Sequence, residues 1–171
     1  MFESGWAYAF PFTPVITRFM VGLYWDQLML DELPEAAQHR DAHRSVILAL
    51  AGFSFTAVAG LAVLETQRPG FQLSIWYVLL SFVAYLTALN LQSYKLTRWQ
   101  NYVAAALIEM GSLSLTLTLV SLVSAGKFDT WFRTLVAAVA LGSWVVDHAI
   151  RLLLEISHFV GEDAKRRKGG S

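Results

Sequence analysis

Four long apolar runs set the pattern of the chain. They are Ser45–Leu64 (SVILALAGFSFTAVAGLAVL), Phe71–Leu91, Val103–Val123 and Trp131–Leu154. Crossing roughly 30 Å of hydrocarbon takes about 20 mostly apolar residues in a helix. Each run meets that length. The gaps between them are short, which makes consecutive helices antiparallel neighbours. The pattern predicts an all-α integral membrane protein, a four-transmembrane-helix bundle. Its spans are expected at about 45–64, 71–91, 103–123 and 131–154, within a membrane domain covering 44–154.

The first 43 residues read differently. The stretch PVITRFMVGLYWDQLML is apolar but short, and it carries Arg18 and Asp26. At about 1.5 Å per residue it covers under 30 Å. It is expected as an amphipathic helix lying in the inner interface, with Tyr24 and Trp25 at headgroup level. The competing reading is a fifth span, which conflicts with the charge asymmetry described below. The polar run DELPEAAQHRDAHR follows, where Pro34 is suited to start a helix that continues into the first span. The opening MFESGWAYAFPFTP has no basic region and is interrupted by Pro11 and Pro14, so no cleaved leader is expected. Residues 155–171 form a basic tail, expected to be solvated and near anionic lipid.

Composition agrees with the pattern. Hydrophobic residues make up 56% of the 171, charged residues 15%, and mean hydropathy is +0.47. A soluble domain of this size needs more polar surface. The formal net charge of zero gives no global attraction to nucleic acid. With no cysteine, disulfides and thiolate chemistry are excluded. Hydrolase, zinc-protease, phosphate-loop and dinucleotide motifs are absent. Only His148 falls inside a span, so a two-histidine haem is not expected. Neither enzymatic activity nor a cofactor is expected.

Lysine and arginine mark the cytoplasmic side of a membrane protein. Ten of the 13 fall on one side of the four spans: Arg18, Arg40, Arg44, Lys95, Arg98, Arg151 and the Lys165–Lys168 group. Arg68, Lys127 and Arg133 fall on the other. This places the chain in an inner (plasma) membrane, multi-pass, with both termini cytoplasmic.

That orientation brings polar groups of different spans to one depth. Glu109 lies about 9 Å in from the cytoplasmic end of its span, and Asp147 and His148 about 9–11 Å in from theirs. Ser143, Asp147 and Arg151 are spaced by four and share a helix face, as do Glu109, Ser112 and Thr116. The two faces are expected to meet, with Glu109 near Arg151 or His148. Such a layer is either a satisfied network that fixes helix packing or part of an ion or proton pathway. A histidine beside two acids is a candidate proton carrier near neutral pH. Ser114, Thr118 and Ser121 lie on the opposite face of the third span, which gives a reason to expect oligomerisation.

Gly52, Thr56 and Gly60 form a small-residue stripe on the first span, suited to close helix packing or to a narrow pore wall built from several copies. Glu65 then sits at the outer mouth, where a ring of carboxylates attracts cations. The competing role is an interfacial acid paired with Arg68. His39 and His43 are four apart and could offer two zinc ligands, but no strong third ligand is assigned, so no metal is expected. The segment AVAGLAVLETQ, Ala57–Gln67, loosely resembles the pore helix of the Orai calcium-channel family, over about one helix of four. That resemblance implies four spans, cytoplasmic termini and a glutamate at the outer end of the first span. Here the basic residues lie farther from Glu65 than in that family. The expected function is a small homo-oligomeric ion-conducting or ion-regulating assembly. The alternatives are a non-catalytic accessory subunit of a larger membrane complex and a small proton-coupled transporter.

Overall fold

The structure is a computed structural model that describes residues 6–24, 37–63, 69–92 and 98–169. The described residues contain helices and connections and no strand. Helix α1 (Trp6–Ala9) passes through a 3-10 turn (Phe10–Phe12) into α2 (Thr13–Tyr24). Four long helices follow: α3 (Ala37–Val63), α4 (Pro69–Leu91), α5 (Arg98–Ala125) and α6 (Thr130–Gly169). Each of these four is long and apolar enough to cross a membrane, over Arg44–Leu61, Phe71–Leu91, Trp99–Ala125 and Thr130–Leu154. The chain is a multi-pass, helical membrane protein.

Two elements run past the expected span ends. The polar residues from Ala37 to His43 and the first span form one helix, α3. Helix α6 continues through the charged tail to Gly169, 40 residues or about 60 Å in all. No proline interrupts that stretch, and Glu, Ala, Lys and Arg are good helix formers.

The helices pack as an antiparallel series with α5 at its centre. Ile47 and Ala51 of α3 pack on Tyr85 of α4, and the Ser54 and Ser81 hydroxyls hydrogen-bond at 3.0 Å nearer the opposite ends. Partners that fall in number on one helix as they rise on the other mark antiparallel helices. From Gln92 to Arg98 the chain reaches at most about 21 Å. That is too short to return along α4, about 34 Å long, so the packed pair α4–α5 is antiparallel too. Their seam is tight at Gly111, where a Cβ would stand 2.9 Å from the Tyr85 ring. Arg133 of α6 donates to the Gly126 carbonyl at 2.9 Å, satisfying a backbone acceptor just past the end of α5.

The N-terminal helices lie lengthwise along α5. Gly22 rests against the Tyr102 ring, which stands where a Cβ would come within 2.8 Å of it. The Tyr102 hydroxyl donates to the Arg18 carbonyl at 2.6 Å. Farther back, the Tyr77 hydroxyl of α4 donates to the Ala7 carbonyl at 2.8 Å, and Tyr8 meets Trp76 edge to face. With Tyr85 beside Gly111, Tyr77 stands level with about Leu119 of α5. From there to Tyr102 is about 25 Å along the bundle.

Burial follows this arrangement. Of the α5 span, 44% is buried, against none of the α6 span. Ser114, Thr118 and Ser121 are buried inside the chain, and Ser114 and Thr118 donate to carbonyls of their own helix. The second polar face of α5 is therefore covered by the chain itself. It gives no reason to expect another copy.

Candidate functional site

Glu109 sits at the middle of the bundle, 5% exposed, and two side chains bracket it. Arg18 of α2 donates Nη2 to Oε1, in a buried ion pair. His148 of α6 brings Nδ1 to 2.9 Å from Oε2. The His148 contact is close but off the line of a good N–H···O bond, and neither atom has another hydrogen-bond partner. It is an ion pair when the ring is protonated.

Local packing explains why these groups hold their places. The guanidinium of Arg18 lies over the Tyr102 ring, 5.7 Å from its centroid, a cation–π contact about two helical turns before Glu109. Tyr102 also fixes the backbone of α2 through the Arg18 carbonyl. The His148 ring stacks on Trp144, 4.9 Å between centroids and 12° from parallel. That stacking limits ring rotation and leaves an edge turned to Glu109.

Beyond the trio lies a crevice of about 330 Å³ between α3, α5 and α6. Val46, Ile47 and Leu50 line its α3 side, Tyr85 its α4 side, and Glu109, Asp147, His148 and Arg151 supply its charged groups. Ser112 and Thr116 of α5 face Ser143 and Asp147 of α6 across a wider groove of about 860 Å³. The two polar stripes thus flank one opening.

Of the two alternatives expected beside Glu109, it is His148 that reaches it. Arg151 pairs with Asp147, one turn away on its own helix, at 2.8 Å and with both side chains about half exposed. Such i,i+4 pairs form wherever a helix offers them and need no second helix. The placement that departs from the expectation is Arg18, which is buried against Glu109 and not turned to the interface. The signal in the sequence is a charge set among apolar residues, as with Glu109.

Other expected residues stand apart from this site. Gly52, Thr56 and Gly60 lie on an open face of α3, and no described residue comes within 4 Å of a Cβ built on Gly52 or Gly60. The Thr56 hydroxyl donates back to the Gly52 carbonyl at 3.0 Å. Glu65 lies outside the described residues, as do the side chains of His39 and His43. Among the described residues no group of three metal-ligating side chains occurs.

Comparison with protein families, curated proteins and solved structures finds no match. The likeness of Ala57–Gln67 to one channel helix therefore has no wider support.

Proposed function

We propose that the chain is an ion-conducting or ion-regulating protein of the inner membrane, with Glu109 and His148 as its proton-binding centre. The observation that carries this reading is the Glu109 carboxylate, buried among spans and held between Arg18 and His148 at the floor of a crevice. Ionisable groups inside a membrane domain are costly, and they mark ion and proton pathways. Arg18 compensates the carboxylate, so the site has no net charge until a proton is added. Histidine is the side chain that ordinarily gains and loses its charge near neutrality. Asp147 and Arg151 at the crevice wall compensate one another. Tyr85 is the polar group that α4 contributes, and α3 contributes apolar residues. A proton taken up between Glu109 and His148 changes the total charge of this region.

The lysine and arginine bias supports an inner membrane with the C-terminal tail at the cytoplasmic face. The open Gly52–Thr56–Gly60 face of α3 supports contact between copies, with Glu65 at the outer end.

The test is flux in liposomes. Purified protein is reconstituted with a pH-sensitive dye, and a potassium gradient with valinomycin sets the voltage. Proton or cation flux is expected, falling at least about tenfold in Glu109→Gln, a loss of about 1.4 kcal/mol of pathway stabilisation. Size-exclusion chromatography of the same preparation restricts the comparison to folded protein. His148→Gln is expected to flatten the pH dependence. Wild-type protein that passes no ions at any pH or voltage overturns the reading. A second reading, an accessory subunit of a larger membrane complex, is compatible with the α6 span, none of which is buried inside the chain.

A further inference from the structure

We infer that residues 6–24 form a fifth membrane-embedded element, which carries Arg18 to Glu109 through the bilayer and puts Trp6 at the face opposite the C-terminal end of α6.

Three observations combine. The first is direction. This segment runs along α5 from about the level of Leu119 to that of Tyr102, fixed at one end by the Tyr77–Ala7 hydrogen bond and at the other by the Tyr102–Gly22 contact. Helix α1, the 3-10 turn and α2 together extend about 30 Å if coaxial, the thickness of the hydrocarbon layer. A helix lying in the interface would cross the bundle at one level instead.

The second is polarity. An interfacial helix turns charged residues to water and apolar ones to lipid. Here the outward face is apolar from end to end: Trp6, Phe10, Ile16, Phe19, Met20 and Leu23 are all exposed. The sole charged side chain of the segment, Arg18, points inward and is 4% exposed. Thr13 and Thr17 donate back to the Phe10 and Pro14 carbonyls at 2.9 and 3.0 Å, so their hydroxyls ask nothing of the surroundings. A polar interior with an apolar exterior is the distribution that lipid requires.

The third is charge. No lysine or arginine precedes Arg18. Moving the N-terminal end to the outer face therefore leaves the basic residues around the other four spans where they were. The charge asymmetry, which stood against a fifth crossing, is indifferent to it. The two prolines are no obstacle either. Pro14 is in the first turn of α2, where no N–H is needed, and Pro11 is in the 3-10 turn.

The chain has no cysteine, so single-cysteine labelling needs no prior substitutions. Ser4→Cys and Ser171→Cys are expressed separately and treated in intact cells with a membrane-impermeant maleimide. Labelling after detergent lysis measures the total reactive thiol in each. Ser4→Cys is expected to label in intact cells and Ser171→Cys only after lysis. Labelling of both from the same face overturns the inference. Ile16→Lys gives a second measure: a charge on the lipid-facing side of an embedded element is expected to lower folded yield and melting temperature. On a water-accessible helix it changes neither, and wild-type values for this variant also overturn the inference. Neither measurement depends on ion flux.

Discussion

Arg18, Glu109 and His148 are the residues on which the interior of this bundle turns. An ion pair removed from water gains little over a well-packed apolar pair, whereas breaking it leaves a buried charge at a cost of about 3–5 kcal/mol. Arg18→Met and Glu109→Leu are each expected to destabilise by about that amount. The double variant is expected to be far closer to wild type than the sum of the two. Unfolding in mixed detergent micelles measures all four corners of the cycle, and additive losses would show that the two groups do not interact. Half of this pair was legible in the sequence. Glu109 stands out because it interrupts an apolar-rich run of full span length, Val103–Val123. Arg18 lies in a run cut by Pro11 and Pro14 and short by length alone, so its partner across 91 positions of sequence had no local signature. Asp147–Arg151 is the contrasting case: its i,i+4 spacing was visible in sequence, and the pair it predicts is formed, because such a pair needs no second helix.

The elements themselves were written plainly. Apart from Leu64, which lies outside the described residues, the four apolar runs fall within helices α3 to α6, because a membrane span depends on length and hydropathy more than on tertiary detail. What the runs leave unstated is which helix is central. Small residues decide it, by letting neighbours approach α5. Gly111 takes the Tyr85 ring, and Gly22 of α2 takes the Tyr102 ring. A Gly111→Val variant would drive its side chain into the Tyr85 ring, which is 1% exposed. The expected loss is about 1–3 kcal/mol, the usual cost of overpacking. Gly142 of α6 has no described residue within 4 Å of its Cβ position, and Gly142→Val is expected to change the same melting curve by less than about 1 kcal/mol. Equal effects of the two substitutions would mean that the α4–α5 seam is not the tight one.

At the scale of the whole molecule, two faces remain bare: the Gly52–Thr56–Gly60 stripe of α3 and the whole span of α6. Exposed apolar side chains such as Val139, Val146 and Leu153 are ordinary on a lipid-facing helix, so α6 by itself does not require a partner. The α3 stripe is different in kind. Glycine offers lipid no better contact than a larger side chain would, and its advantage appears only when another backbone comes close. A self-assembled ring through α3 and a foreign subunit docked on α6 thus make separate demands. Gly52→Val leaves the single chain unstrained, because no described residue crowds that position. If copies meet through α3, this variant is expected to reduce the mass of the wild-type particle in mild detergent toward one chain, at an unchanged melting temperature of the monomer. If the chain serves a larger complex through α6, Gly52→Val changes nothing. Protein purified from its native membrane should then carry a second polypeptide in fixed ratio, which Val146→Trp would release. A wild-type particle of one chain, with no companion from the native membrane, removes both readings. Any transport would then have to run through the single bundle, past Glu109.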